Sequence, residues 1–146
     1  MILASGKVYK LISVASAKLL TVSTTNDHNV ESRVDKGQDN QKWRAEHIAD
    51  DGWALRSLYQ HDGQVLYLNY SGKERSLVGG SDLRRWNITQ WNTRGGAEFR
   101  LWVPDAPSPG QVAEVAGGND GDGTEIRLWD SNDSAAQFWL FQEVPN

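Results

Sequence analysis

The chain has no cysteine among its 146 residues, so no disulfide staples it and no thiolate is available for catalysis or metal binding. That absence suits a reducing compartment. Histidine is scarce, and His28, His47 and His61 are scattered without ligand spacing, so no metal is expected. Long apolar runs are missing as well. Met1-Ile2-Leu3-Ala4-Ser5 is far too short for a signal peptide, and no segment approaches the roughly 18 apolar residues of a membrane span. The expectation is a soluble, cytoplasmic protein with no membrane insertion. There is no excess of positive charge: Lys and Arg number 15 against 19 Asp and Glu, interspersed, for a net charge of −4. No electrostatic footprint for nucleic acid results. No Gly-rich phosphate loop opens a helix and no nucleophile elbow occurs, so neither a cofactor nor catalysis is expected.

What is present in quantity is tryptophan, seven residues, and three of them close similar triplets: Gln41-Lys42-Trp43, Arg84-Arg85-Trp86 and Gln137-Phe138-Trp139. An aromatic-x-leucine step also occurs three times, as Tyr9-Lys10-Leu11, Trp53-Ala54-Leu55 and Phe99-Arg100-Leu101. Between these markers lies a third element: Leu19-Leu20-Thr21-Val22, Val65-Leu66-Tyr67-Leu68 and Val112-Ala113-Glu114-Val115. Three landmarks in one order, three times, describe one domain over 1–146 built of repeats at about 7–48, 49–92 and 93–146, the last longer inside.

Apolar residues recur mainly with period two, as in Val8 to Val14, Trp53 to Tyr59, Val65 to Tyr70 and Glu98 to Val103. Turn formers punctuate them at Thr24-Thr25-Asn26-Asp27, Asp50-Asp51-Gly52, His61-Asp62-Gly63, Tyr70-Ser71-Gly72, Gly95-Gly96, Pro104 to Gly110 and Gly117 to Gly123. The pattern predicts an all-β domain with helices of one turn at most. Four strands per unit, the third near Asn29 to Arg33 or Thr124 to Trp129, make a pseudo-threefold barrel.

Gly123-Thr124-Glu125-Ile126-Arg127-Leu128-Trp129-Asp130 followed by Gln137-Phe138-Trp139, together with Asp39-Asn40-Gln41-Lys42-Trp43, resembles the ricin B-type lectins. The resemblance runs from Tyr9 to Val144 and is closest to the small cysteine-free lectins of mushrooms. It implies a β-trefoil, and a carbohydrate-binding lectin for galactose- and N-acetylgalactosamine-type glycans at up to three sites. Defence is the family's usual role.

Strand parity sorts the tryptophans. Trp43, Trp86 and Trp139 occupy equivalent places, and Trp53 matches Tyr9 and Phe99, so these four are assigned to the core. Trp91, Trp102 and Trp129 take the opposite parity and face outward. A pyranose packs its C–H patch on such a ring, and Trp129 is the candidate because family motif surrounds it. Trp91 and Trp102 are read as rings covering a neighbouring hairpin, with a homodimer interface as the other use.

In ricin-type repeats an aspartate accepts two adjacent sugar hydroxyls, an aromatic stacks beneath, and an Asn-Gln pair precedes the motif tryptophan. Carried over to the third unit, the resemblance implies Glu114 for the acid, Arg127 and Trp129 for the next pair, and Ala136 with Gln137 for the last. Asn132, on the same hairpin, is the candidate for the lost amide. In the first unit it implies Thr21, Glu31, Arg33, Asn40 and Gln41: the acid is missing and Arg33 replaces the ring, so loop residues Asp27, His28 and Asn29 are expected to contribute. In the second unit Tyr67 and Arg84 take the acid and Gln positions, which points to a degenerate site.

Other signals have plainer readings. Asn119-Asp120-Gly121-Asp122-Gly123 lacks the downstream Glu of a calcium loop and reads as a glycine-rich hairpin turn. Asp50-Asp51 reads as a solvated turn. The sequons Asn69-Tyr70-Ser71 and Asn87-Ile88-Thr89 matter only in a secreted protein. The alternative function is a β-trefoil protease inhibitor acting through the stiff segment Pro104 to Gly110. A carbohydrate-binding module detached from an enzyme is a third reading, against which stands the lack of a linker or second domain.

Overall fold

A computed structural model describes residues 3–25, 27–70, 75–91 and 98–145. The turn expected at Gly95-Gly96, the Ser71-Gly72 half of another, Asn26, Met1-Ile2 and the unit boundary near 92 lie outside those residues. The first unit contributes β1 (Val8–Ser13), β2 (Leu19–Val22), β3 (Val30–Arg33) and β4 (Trp43–Ala49). The second contributes β5 (Gly52–His61), β6 (Gln64–Tyr70), β7 (Leu77–Gly80) and β8 (Trp86–Gln90). The third contributes β9 (Glu98–Trp102), β10 (Gln111–Val115), β11 (Thr124–Asp130) and β12 (Trp139–Glu143). Helix among the described residues is confined to single 3-10 turns, such as Asp39–Gln41 and Ala135–Gln137.

The first and last strand of each unit close a ring. β1 pairs with β12, β12 with β9, β9 with β8, β8 with β5, β5 with β4, and β4 with β1, all antiparallel. Closure removes the unpaired edges an open sheet would leave. The middle strands form three hairpins, β2–β3, β6–β7 and β10–β11. These meet around the same axis: β3 pairs with β11, Asn29 bridges to Val78, and Ser76 bridges to Arg127. This is the pseudo-threefold barrel that the repeats predict, and the β-trefoil that the resemblance implies.

Each unit sends its motif tryptophan into the core. Trp43, Trp86 and Trp139 are fully buried. Their indole N–H groups donate to Leu20 O at 3.0 Å, Leu68 O at 3.0 Å and Ala113 O at 3.2 Å. A buried indole needs such a partner, and the repeat supplies it each time. Leu11, Leu55 and Leu101 fill the space between, each fully buried.

Two expectations change. Trp53 is only partly buried: it sits at the rim of the ring opposite Trp86, with His47 edge-on to it at 4.9 Å. Equivalence to Tyr9 and Phe99 holds for the backbone pairing, while the Trp53 ring packs against the core from a partly buried position. The landmark of the second unit is shifted by two residues. Because Trp86 bonds to Leu68, the counterpart of Leu20 and Ala113, the segment equivalent to Leu19-Leu20-Thr21-Val22 is Tyr67-Leu68-Asn69-Tyr70. Asn69, not Tyr67, therefore holds the acid position. As expected, Trp91 and Trp102 take the outward parity and pack on neighbouring side chains. The Arg100 guanidinium lies 4.8 Å from the Trp91 ring and 4.7 Å from the Trp102 ring, and Trp91 packs on Phe138. Both rings are half-buried, and Trp102 also lines a hollow of about 580 Å³ with Asn87 and Thr89.

Candidate functional site

The β10–β11 hairpin brings Glu114 and Arg127 directly opposite each other, and Trp129 follows two residues on, on the same face. Arg127 Nε and Nη2 donate to Glu114 Oε2 at 3.1 and 3.0 Å, and Gln137 Nε2 donates to Oε1 at 3.1 Å. Glu114 is 3% exposed, so its charge is tolerated only because these donors meet it. Beyond it the Arg127 guanidinium carbon stands over the Trp129 ring, 3.8 Å from the centroid, and Arg75 of the second unit reaches the same ring at 4.9 Å. Glu114, Arg127, Trp129 and Asn132 line one depression of about 450 Å³, walled on its other side by Gly117, Gly118 and Ala136.

Two of the expected contacts alter. A carboxylate has about four acceptor sites. Three are taken at Glu114, which leaves room for one further hydroxyl rather than an adjacent pair. Gln137 is fully buried and its amide is used up: Nε2 donates to Glu114 and to Asp130 O at 2.8 Å, and Oε1 accepts from Asn132 N at 2.9 Å. It orients Glu114 from behind and does not reach the depression. Asn132 does line it; its Oδ1 accepts from Ser134 N at 3.0 Å, and its Nδ2 has no partner among the described residues.

In the first unit the same hairpin positions hold Thr21 opposite Glu31, with Arg33 two residues on. Thr21, Glu31, Arg33, Asn40 and Gln41 line a smaller hollow of about 190 Å³ together with Ser23, Thr24, Lys36 and Gln38. Gln41, 2% exposed, repeats the internal role: Nε2 donates to Thr21 Oγ1 at 3.2 Å and Val34 O at 2.8 Å, and Oε1 accepts from Lys36 N at 2.8 Å. Asn40 Nδ2 donates to Val22 O at 3.0 Å. Arg33 is held by Glu31 Oε2 at 2.6 Å and by Asp122 Oδ2 at 3.5 Å. The Glu31 hydrogen bond, despite partial desolvation, raises the Arg33 pKa above its ordinary value, so it stays charged. Asp122 belongs to the loop between β10 and β11 and also accepts from Val34 N at 2.9 Å, which with Arg33 holds its carboxyl below the usual range. The segment resembling a calcium loop thus clamps two units together. Gly123 is required beside it: its φ is +92°, and a Cβ there would stand 3.0 Å from the Arg33 guanidinium carbon.

Asp27, His28 and Asn29 do not join this hollow. His28 packs edge-on to His61 at 4.5 Å and its carbonyl accepts from Gly79 N at 2.8 Å, so the loop leans on the second unit. Lys36 and Gln38 take its place, brought in because the chain after β3 curls back to cap Gln41. In the second unit Asn69 stands opposite Val78, and Gly80 falls where the third unit has Trp129. Neither an acid nor a ring is present there. Arg84 Nε donates to Asn69 Oδ1 at 2.7 Å, filling the role of the motif glutamine.

A model of ricin-type β-trefoil lectin domain-like proteins matches residues 2–79, more than half of the chain. The chain belongs to this family. Among solved structures, the ricin-type chain superimposes on the Macrolepiota procera ricin B-like lectin in complex with lactose, with 23% identity and a TM-score of 0.80, covering 97% of this chain and 98% of that one. The Rhizoctonia solani agglutinin matches at 18% identity and 0.78, with 99% of each chain covered. The C-terminal half of the earthworm R-type lectin, in complex with GalNAc, matches at 15% and 0.68, over 94% of this chain and 99% of that one. At these identities the likeness is one of fold. No curated protein sequence matches it.

The segment Pro104 to Gly110 is folded back on this lectin domain. Val103 N donates to Gln111 O at 2.9 Å, Gly110 N to Pro107 O at 2.8 Å, and Ser131 N to Gly110 O at 3.0 Å. Gly110 lies so close to the Trp102 ring that a Cβ would come within 2.6 Å of it.

Proposed function

We propose that the chain is a lectin that binds galactose- and N-acetylgalactosamine-type glycans without chemical change, chiefly through the third unit. The observation that carries this reading is the convergence of Glu114, Arg127, Trp129 and Asn132 on one depression. A pyranose there would give one hydroxyl to Glu114, accept from Arg127 and Asn132, and lay its C–H patch on what Arg127 leaves open of Trp129. Family membership and the lactose and GalNAc complexes of the two neighbours support the choice of sugar. The first unit adds a second, different site, and Asn69, Val78 and Gly80 leave the second unit without one. Two weak sites on one molecule would gain by engaging a branched or clustered glycan together. The lack of cysteine supports a cytoplasmic location. An inhibitor acting through Pro104 to Gly110 is not favoured, because family membership and the lectin neighbours support sugar binding instead.

The test is a glycan array probed with wild type, Glu114→Gln and Trp129→Ala, with free lactose as competitor. Binding of galactosides by the wild type, inhibited by lactose and lost in both variants, is the expected outcome. A signal from either variant equal to wild type would remove the site from the third unit.

A further inference from the structure

Two features of the third unit take no part in its hairpin site: the outward Trp102, and a first connection longer than those of the other units. The connection between β9 and β10 runs over 103–110, where β1 and β2 are joined by 14–18 and β5 and β6 by 62–63. Both features meet in one place. The 103–110 segment walls a hollow on the face of β8 and β9, and Pro109 lines it together with Trp102. Asn87 pairs directly with Trp102 in the strand register, and Thr89 follows two residues on, so the three side chains share that face.

The polar groups on this face are held in place without being used up. Trp102 Nε1 donates to Thr89 Oγ1 at 3.0 Å, which leaves the Thr89 hydroxyl proton without an acceptor among the described residues. Arg85 Nε donates to Asn87 Oδ1 at 3.2 Å, which fixes the amide and leaves its Nδ2 equally unpartnered among them. Both side chains are half-buried, where polar groups ordinarily find partners. Arg100 and Gly110 cover part of the Trp102 indole without closing it off. The exposed Asp51 and Asp105 complete the lining.

We infer that this hollow binds a neutral sugar residue, at a site apart from the three hairpins. The choice of a sugar rests on the lectin reading, and the site goes beyond it. A pyranose presents a C–H patch that suits the Trp102 and Pro109 rings, and hydroxyls that donate and accept at once. These would accept from Asn87 Nδ2 and the Thr89 hydroxyl, and donate to the acids at the rim. A few fixed polar groups beside an apolar wall are the usual make-up of a small-ligand site. An acidic sugar fits less well, because Asp51 and Asp105 repel it. The hollow straddles a unit boundary: Asp51, Asn87 and Thr89 come from the second unit, Trp102 and Pro109 from the third.

The experiment follows the indole N–H signals by proton–nitrogen correlation NMR, assigned by single tryptophan-to-phenylalanine replacements. Methyl β-galactoside, methyl β-glucoside and methyl N-acetyl-β-glucosaminide are titrated in turn into wild type, Trp129→Ala and Asn87→Asp. The Trp102 signal is expected to shift saturably with at least one of them, in wild type and Trp129→Ala alike. Asn87→Asp keeps its shape and an acceptor for Arg85, so it should fold, but it lacks the amide donor. It is expected to need about tenfold more sugar for the same shift, the scale of one hydrogen bond. A Trp102 signal that no sugar moves, that moves only while Trp129 is present, or that moves equally in Asn87→Asp would overturn the inference. If the Trp129 signal still responds, the lectin reading stands. Silence of every indole signal, with no glycan bound on the array, would overturn both.

Discussion

Gln137 and Trp129 belong to one constellation and would fail in different ways. Every polar atom of the Gln137 amide is used inside the protein, so Gln137→Ala strands Asp130 O and Asn132 N and loosens the buried Glu114. We expect a loss of about 2–3 kcal/mol in urea unfolding, with glycan binding weakened as a consequence. Trp129→Ala instead removes a partly exposed ring at the mouth of a hollow. Its unfolding midpoint should move by less than that of Gln137→Ala while binding is lost; the reverse order would mean that the ring is structural and the amide functional. The sequence named both residues as sugar contacts. It could not separate them, because a glutamine written before a tryptophan looks the same whether its amide points out or in. Only the one-turn helix Ala135–Gln137 turns it inward.

Hairpins, not single strands, are the elements that carry the sites, and each leans on its neighbour. Asp122 in the β10–β11 loop holds Val34 N and Arg33 of the first unit. Its carboxyl pKa lies below the ordinary 3.8, chiefly through the Val34 N–H. A carboxylate shifted down in the folded state stabilises fully above its unfolded pKa and loses that contribution as pH falls through the folded one. Wild type and Asp122→Asn should therefore differ in thermal midpoint at neutral pH and converge as the pH falls from the ordinary 3.8 through the lowered folded-state pKa. A gap that stays constant to lower pH would mean the carboxylate charge is not involved. At this scale the sequence reading succeeded for the strands and failed for the register of β6. Leu66 and Leu68 are both buried, and a period-two pattern is unchanged by a shift of two residues. The alternation therefore fits Val65-Leu66-Tyr67-Leu68 as well as the true Tyr67-Leu68-Asn69-Tyr70. What decides is the Trp86 indole bond to Leu68, a contact across 18 residues.

For the molecule as a whole, the three buried indoles are the most legible feature and the most consequential for stability. Trp86→Ala should cost about 3–5 kcal/mol by cavity formation, and Trp86→Phe less, since it keeps much of the volume but abandons the Leu68 carbonyl. Calorimetry on these and the Trp43 and Trp139 equivalents would show whether the three layers are energetically alike. The fold could be read from the sequence because a repeated core demands repeated large residues at fixed intervals. Function was less legible because it depends on what lies across the axis: Arg75 of the second unit over Trp129 of the third, and Asp122 of the third beside Arg33 of the first. These contacts link residues far apart in the chain, and no local spacing announces them. The pairing of β3 with β11 and the bridges through Asn29 and Ser76 make the units unequal partners rather than modules. A third unit duplicated three times over would bring its own tryptophan and glutamate to every position, yet would meet no Arg75 above its ring. Repetition thus accounts for the barrel, while each hollow takes its character from the unit next door.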